Sequence, residues 1–359
     1  MKKIIFTGGG SGGHVTLNAN LIPFFQKEGW QVVYIGSKTG IEREIICNIS
    51  GVRYHAIETG KLRRYFSVQN FKDMLHIPVG IFQAWRIIKE EKPDIIFSKG
   101  GFVSFPVVLA GFLNKCQHVF MHESDVTPGL ANKMSLPFVD KFFTTFSDTA
   151  RYVKDERKVK YIGPVLSDRL ENGNKARAME FCKFTKQRPT IMFVGGSLGA
   201  QSINNVVSKI IDELLKDFNV IHICGKGQIS MLRRPNYVQF EFVNQEFKDL
   251  MALADVVVSR AGSNAIFELL SQKKPMLLIP LSGKSSRGEQ ALNAQSFEQH
   301  GFALVLSDDK MKENPNLLLQ KINETFEKKQ DLESVMQKSD LKQTTSEQLF
   351  NEIIHDANV

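Results

Sequence analysis

Four stretches of small residues, each directly behind a run of β-branched and apolar residues, are the parts of this chain best suited to chemistry. They are Thr7-Gly-Gly-Gly-Ser-Gly-Gly-His14, Ser98-Lys-Gly-Gly-Phe-Val-Ser104, Gly195-Gly-Ser-Leu-Gly199 and Ser259-Arg-Ala-Gly-Ser-Asn264. Glycine lets a backbone approach a ligand closely, and a helix starting at such a loop offers N–H groups to an anion. One loop of this kind can serve packing alone. Four of them point to phosphate binding.

His14 closes the first loop where a helix is expected to begin. Such a histidine caps or packs, or, beside an anion-ready loop, transfers protons. Gly8-x-Gly10-x-x-Gly13 also fits the dinucleotide fingerprint, so an NAD-dependent oxidoreductase is the alternative enzyme class. That fingerprint wants an acid at the end of the second strand, and Tyr34-Ile-Gly-Ser-Lys38 has none there. A Walker loop would need Gly-Lys-Ser/Thr, and this loop ends Gly13-His14-Val15.

Short apolar runs alternating with helical patterns must position these loops. Strands are expected at Lys3–Phe6, Val32–Ile35, Asp94–Phe97, His118–Met121 and Lys141–Thr145. A second set is expected at Thr190–Val194, Val220–Ile223, Val238–Phe242, Asp255–Ser259, Met276–Ile279 and Ala303–Leu306. Helices are expected over Val15–Glu28, Gln69–Glu91, Ala200–Lys216, Gly262–Ser271 and Gly288–His300, with a helical, charged region at 311–359. Strand–helix alternation means α/β architecture with parallel sheets. The pattern restarts after the charged stretch from Arg151 to Lys186, which contains Gly163-Pro164. Two Rossmann-like domains follow, 1–163 and 164–340, with a terminal helical segment, 341–359, that could pack back on the first. Ligands in such folds bind beyond the C-terminal strand ends.

The 359 residues carry a formal charge of +8, which suits polyanionic partners without choosing among phosphates, nucleic acid and an anionic membrane. No aromatic-basic RNA-binding signature or DNA-recognition helix accompanies the charge, so nucleic acid is not expected as a partner. The four cysteines lie far apart, against a zinc or disulfide framework and in keeping with a reducing cytosol. The N-terminal apolar run is too short for a signal peptide. The longest apolar stretch, Phe102 to Leu113, is broken by Ser104, Pro106 and Gly111, and a spanning helix needs about 20 apolar residues.

The strings FTGGGSGGHVTLN (6–18), GKLRRYFS (60–67), FSKGGFVS (97–104), HESDVTPGLANK (122–133), VGGSLGAQSIN (194–204), SRAGSNAIFELL (259–270) and SRGEQALNA (286–294) occur in one order along the chain. Together they resemble the MurG glycosyltransferases of peptidoglycan synthesis, in the form found in low-GC Gram-positive bacteria. The resemblance covers essentially the whole chain. It implies a GT-B fold, two Rossmann-like domains facing a cleft. It also implies an inverting transfer of GlcNAc from UDP-GlcNAc to the C4 hydroxyl of MurNAc in undecaprenyl-diphospho-MurNAc-pentapeptide (lipid I), giving lipid II. No cofactor or metal is implied. The enzyme would sit peripherally on the cytoplasmic face of the cell membrane, against anionic lipid.

Carried over position by position, the resemblance places the donor on the second domain. Glu268 would bind the ribose hydroxyls, Ser197 and Ser263 the diphosphate, and Phe242 and Val243 the uracil. Arg260 would lie beside the donor, and Gln290 and Asn293 would hold the sugar. The acceptor diphosphate would lie against Gly10, Ser11, Gly12, Gly13, Gly100 and Gly101. His122, Asn132 and Asn204 would be further cleft residues. His14 is the first candidate for the base, with Glu123 and Asp125 as rivals. Three departures stand out: Leu166 where many members have Arg, Glu289-Gln290 where two glutamines are commoner, and Ser124-Asp125 where many have Gln-Asn. For membrane contact, Lys61-Leu-Arg-Arg-Tyr-Phe66 and the apolar series Ile77, Val79, Ile81, Phe82, Trp85 and Ile88 are the candidates. Their spacing also fits an ordinary buried helix face.

Overall fold

Runs such as Ile4-Ile5-Phe6, Ile95-Ile96-Phe97 and Val119-Phe120-Met121 are apolar at every position, as parallel strands covered on both faces must be. The structure, a computed structural model, bears this out. It describes the whole chain except residues 11, 61–67, 167–169, 171, 197–198, 283–287 and 359, and the side chains of 68–75. The chain divides into two units, Met1–Leu166 with Lys342–Val359, and Ser167–Leu341.

The first unit runs β1 (Lys3–Thr7), α1 (Gly12–Lys27), β2 (Gln31–Ser37), α2 (Ile41–Ile46), β3 (Val52–Ile57), α3 (Val68–Glu91), β4 (Ile95–Ser98), α4 (Ser104–Leu113), β5 (His118–Glu123), α5 (Leu130–Ser135), β6 (Lys141–Thr144) and β7 (Val159–Tyr161). The seven strands form one sheet in the order β3-β2-β1-β4-β5-β6-β7, and every pairing is parallel. Successive side chains take opposite faces. Ile4, Phe6, Phe97 and Phe143 join Val15, Leu21 and Phe25 of α1 on one side. Ile5, Ile96, Met121 and Phe142 join Ala84 and Ile88 of α3 and Val107 and Val108 of α4 on the other.

A two-residue strand, β8 (Val165–Leu166), ends this stretch, and the chain then builds the second unit. It runs α6 (Lys175–Cys182), β9 (Thr190–Val194), α7 (Gln201–Asp217), β10 (Asn219–Ile223), β11 (Tyr237–Phe240), α8 (Phe247–Leu253), β12 (Val256–Ser259), α9 (Ser263–Ser271), β13 (Met276–Leu278), α10 (Glu289–Gln299), β14 (Ala303–Val305), α11 (Asp308–Glu313), α12 (Asn316–Glu327) and α13 (Lys329–Gln337). Its six strands are ordered β11-β10-β9-β12-β13-β14. The chain returns through β15 (Thr344–Thr345), which pairs with β8, and α14 (Ser346–Ala357).

The boundary falls after Leu166 rather than after 163, because β8 is held by β15 in the first unit. Thr345 and Gln348 form a reciprocal capping box at the start of α14. Leu349 and Ile353 then bury against Phe25 and its neighbours, worth about 1.5–3 kcal/mol each. Lys160 pairs with Asp356 at 2.9 Å and with Glu352 across the same contact.

Candidate active site

Both strand orders reverse direction at a point beside the first strand of the unit, between β1 and β4 and between β9 and β12. Ligands in open parallel sheets bind at such reversals, beyond the carboxyl ends of the strands. The four glycine loops are the segments that follow β1, β4, β9 and β12. The topology therefore brings the sequence-predicted loops together in pairs, one pair per unit.

In the first unit the two loops are tied by their backbones. Gly9 N–H donates to the Gly100 carbonyl at 3.2 Å and Lys99 N–H to the Thr7 carbonyl at 2.9 Å. Gly101 has φ +87°, and a Cβ there would lie 2.1 Å from the Gly9 oxygen, so only glycine fits. Side chains then serve three successive carbonyls of the first loop. Asn18 Nδ2 donates to Thr7 O at 3.1 Å, the Tyr34 hydroxyl to Gly8 O at 2.6 Å, and His14 Nδ1 meets Gly9 O at 3.0 Å. A carbonyl can only accept, so Nδ1 carries a proton, and whenever the ring is neutral its lone pair is on Nε2. His14, half-buried in the first turn of α1, thus has the tautomer a general base needs.

Nothing in the residue pattern signals what supports this loop from below. Glu42, in the first turn of α2, is fully buried. Its Oε2 accepts Gly10 N–H at 3.2 Å, and its Oε1 accepts Ser37 N–H at 3.1 Å together with the Ser37 hydroxyl. Two readings change as a result. Gly10 offers its N–H to a carboxylate of its own chain rather than to an acceptor phosphate. The acid that follows β2 has both oxygens committed to the loop and to Ser37, which leaves neither of them for a dinucleotide ribose. Gly12 has open space around its Cα, and with Gly13 it begins α1. Ser11 lies outside the described residues.

Of the rival bases, Glu123 is an anchor. Its Oε1 accepts from Ser124 N–H (2.9 Å) and Asp125 N–H (3.1 Å), its Oε2 from Gly129 N–H (2.9 Å) and Asn132 Nδ2 (2.9 Å). Burial and the neighbouring Asp125 push its carboxyl up, while these donors favour the charged form. The carboxylate folds residues 124–132 into place and has its lone pairs engaged. Asn132 is buried as its partner and also reaches the His122 carbonyl at 3.2 Å. His122 is buried with neither ring nitrogen hydrogen-bonded among the described residues. Burial and the nearby Lys99 hold it well below the usual histidine range, so it is a neutral core residue, not a cleft-facing one. Asp125 is half-buried, and its carbonyl accepts from the Thr149 hydroxyl at 3.3 Å.

Lys99 escapes a reading of the sequence because a lysine in a loop usually points to water. Here it is 3% exposed, with its ammonium on the Ser124 hydroxyl, inside the second glycine loop. Burial lowers it to about 8, against the pull of Glu123 and Asp125.

In the second unit Gly199, at φ +78°, packs so tightly that a Cβ would lie 2.1 Å from Cys224 O. Asn204 organises the loop after β10 rather than facing a ligand: its Nδ2 donates to Cys224 O (2.9 Å) and Gln228 Oε1 (2.7 Å). Its Oδ1 takes His222 Nε2 at 2.9 Å, and Tyr237 hydroxyl meets His222 Nδ1 at 2.9 Å. Burial pushes His222 down to about 4, so the ring is neutral and one pattern of protons satisfies the network.

Ser263 is the first residue of α9, buried, and Glu268 is half-buried on the face it shares with Asn264 and Ala265. Asn293 is buried and donates to Ala261 O at 3.2 Å, fixing the loop before α9, and Gln290 Oε1 accepts Leu281 N–H at 3.2 Å. Oε2 of Glu289 is buried without a hydrogen-bond partner among the described residues. Phe242 and Val243 follow the edge strand β11, on the opposite side of β9 from β12 and β13, and Phe242 is 70% exposed.

Arg260 is the displaced candidate. Its guanidinium donates to Asp308 Oδ1 (2.7 Å), Ile279 O (3.0 Å) and the Ser202 hydroxyl (2.6 Å). It braces α7 and α11 against the strand ends from inside the unit. Ser197 lies outside the described residues, as do Lys61–Phe66. Among the described residues no cluster of His, Cys, Asp and Glu is arranged to hold a metal.

Residues 4–144 match the glycosyltransferase family 28 N-terminal domain, and residues 190–353 the glycosyltransferase family 28 C-terminal domain. The chain therefore belongs to glycosyltransferase family 28, a family of enzymes with the GT-B fold. A UDP-N-acetylglucosamine–N-acetylmuramyl-(pentapeptide) pyrophosphoryl-undecaprenol N-acetylglucosamine transferase of Geobacillus thermodenitrificans strain NG80-2 is 49% identical over 340 residues, 94% of either chain. The enzyme of the same name from Geobacillus kaustophilus strain HTA426 is 53% identical over 310 residues, 86% of each. In fold, the crystal structure of Acinetobacter baumannii MurG matches 99% of this chain and all of that one, with a TM-score of 0.79 at 20% identity.

Proposed function

We propose that this chain transfers N-acetylglucosamine from UDP-GlcNAc to the C4 hydroxyl of MurNAc in lipid I, giving lipid II. The observation that carries this reading is the 49% identity, across 94% of the chain, to a transferase whose name specifies that donor and that acceptor.

The N-terminal unit takes the acceptor, with its diphosphate against Gly12 and Gly13 at the start of α1 and over Gly100 and Gly101. The C-terminal unit takes the donor. The diphosphate lies at the start of α9 near Ser263 and the loop holding Ser197, the ribose on Glu268, the uracil by Phe242 and Val243, and the sugar by Gln290 and Asn293. Helix N-termini and loop N–H groups carry the negative charge of both diphosphates. In the reaction the C4 oxygen bonds to the anomeric carbon as the bond from that carbon to the UDP oxygen breaks. UDP leaves with the electron pair, the hydroxyl proton passes to Nε2 of His14, and the configuration inverts to a β1–4 link. The test is an assay with labelled UDP-GlcNAc and a lipid I analogue. A β1–4-linked disaccharide on the lipid is expected, and no lipid-borne label, or equal use of UDP-glucose, would contradict the reading.

The enzyme docks on the cytoplasmic face of an anionic membrane through the first unit, and nucleic acid has no part in its function. No helix among the described residues is long and apolar enough to cross a membrane. Helix α3 is two-sided: Ala84 and Ile88 are buried, while Val79 is 45% and Phe82 59% exposed. Phe112 and Leu113 at the end of α4, and Leu130 and Met134 of α5, add exposed apolar surface on neighbouring helices. Exposed Arg86, Lys89 and Lys133 belong to α3 and α5, and exposed Lys115 lies in the turn after α4. Apolar side chains with a basic rim fit an anionic lipid surface. Phe82→Glu combined with Phe112→Glu should abolish flotation with phosphatidylglycerol vesicles. Equal wild-type recovery with purely zwitterionic vesicles would rule out the electrostatic part.

A further inference from the structure

We propose that Glu42 is a positioning residue for His14, acting through the peptide group between Gly9 and Gly10. The inference rests on His14 being the base. Gly10 N–H donates to Glu42 Oε2 at 3.2 Å, and the Gly9 carbonyl accepts from His14 Nδ1 at 3.0 Å. That N–H and that carbonyl belong to one planar, conjugated amide. Carboxylate, amide and imidazole therefore form one continuous chain of hydrogen bonds, which polarise each other in series.

An amide whose N–H is held by an anion carries more negative charge on its oxygen. That oxygen is then a better acceptor for Nδ1–H, fixing the tautomer and stabilising the imidazolium formed once Nε2 has taken a proton. The carboxylate of a Ser-His-Asp triad does the same by direct contact. Here a peptide group stands between, so the histidine stays on its helix while the charge remains in the core.

The carboxylate is held firmly enough for this task. It is fully buried, and its second oxygen is fixed by the backbone and side chain of Ser37. A Cβ on Gly9 would lie 2.5 Å from its carboxyl carbon, and one on Gly40 2.2 Å from Oε1, so the two glycines make room for the group. Ser37 is held in turn, its carbonyl accepting from the Tyr54 hydroxyl at 2.7 Å. The other titratable groups around the relay are Tyr34 and Tyr54, both held far above the usual tyrosine range by burial, with Cys47 and Arg43 beside Tyr54. Lys99, with Glu123 and Asp125, lies on the side of the second glycine loop.

Glu42→Gln removes the charge and keeps one amide oxygen for Gly10 N–H, its NH2 then turning to Ser37, whose hydroxyl can accept from it while the Ser37 N–H loses an acceptor. It should move the His14 titration, followed by ¹⁵N NMR of labelled histidine, down by roughly 0.5–1 pH unit. The acid limb of the kcat/KM profile should shift equally, and plateau kcat should fall by about 3–10-fold as the base weakens. UDP affinity should not change. An unmoved His14 titration in folded Glu42→Gln overturns the relay, even if His14→Ala is inactive. A moved titration supports the relay even if His14→Ala stays active, in which case only the assignment of the base fails. Should Glu42→Gln not fold, the wild-type ring decides. A neutral His14 protonated on Nδ1 supports the proposal, and one protonated on Nε2 overturns it.

Discussion

His14→Ala should lower kcat by about 10²–10⁴-fold, the usual contribution of one well-placed base, while the Kd for UDP stays within about twofold of wild type. The two effects separate because His14 belongs to the first unit and the proposed nucleotide site to the second. The substitution also strips Gly9 O of its side-chain donor, at a cost of about 1 kcal/mol to the loop. Some rise in the acceptor KM is therefore expected. His14→Asn distinguishes the two losses, because its amide can still donate to Gly9 O but cannot accept a proton at neutral pH. It should restore the acceptor KM and leave kcat low. Glu123→Gln should behave differently, failing mainly in stability, since each oxygen of that carboxylate holds two donors. Wild-type turnover in His14→Ala would remove the residue from the mechanism.

Glu268→Ala should weaken UDP by about 10²-fold. A hydrogen bond to a charged group is worth about 1.5–3 kcal/mol, and each 1.4 kcal/mol is a factor of ten in Kd. The prediction follows from the place of the residue on α9. Five residues past Ser263, at 1.5 Å per residue, it stands about 7–8 Å along the helix, a distance suited to a ribose whose diphosphate sits at the helix start. Its face is half-open, while Ile266, Phe267, Leu269 and Leu270 hold the helix in the core. Calorimetry with UDP and with 2′-deoxy-UDP makes the cycle complete. The wild type should lose affinity for the deoxy ligand, and Glu268→Ala should bind both alike. Equal losses in both proteins would place the ribose elsewhere.

Both predictions draw on residues legible in the amino-acid sequence. Strands covered on both faces announce themselves as unbroken apolar runs, and Thr190–Val194 forms its strand over the expected residues. Edge strand β3 escapes that pattern because Arg53 and His55 interrupt its apolar run. The β8–β15 ladder is two residues long and carries no periodic signal. At the site, residue types and spacing locate the loops but not the side chains beneath them. Glu42 lies five residues beyond the end of β2, where no dinucleotide pattern looks for an acid, and its reach to Gly10 depends on how α2 folds back. Arg260 sits inside a ligand-like string, yet its guanidinium is drawn into the core by Asp308, 48 residues later. Asn204 and Glu123 likewise shape loops through partners that spacing cannot reveal.

The most direct test of the central claim is a crystal structure of the protein soaked with UDP-GlcNAc. The diphosphate should lie at the N-terminus of α9, with the ribose hydroxyls about 2.7–3.2 Å from the Glu268 carboxylate. A nucleotide bound instead on the Gly8–Gly13 loop, or on the second unit away from Glu268, would contradict the account.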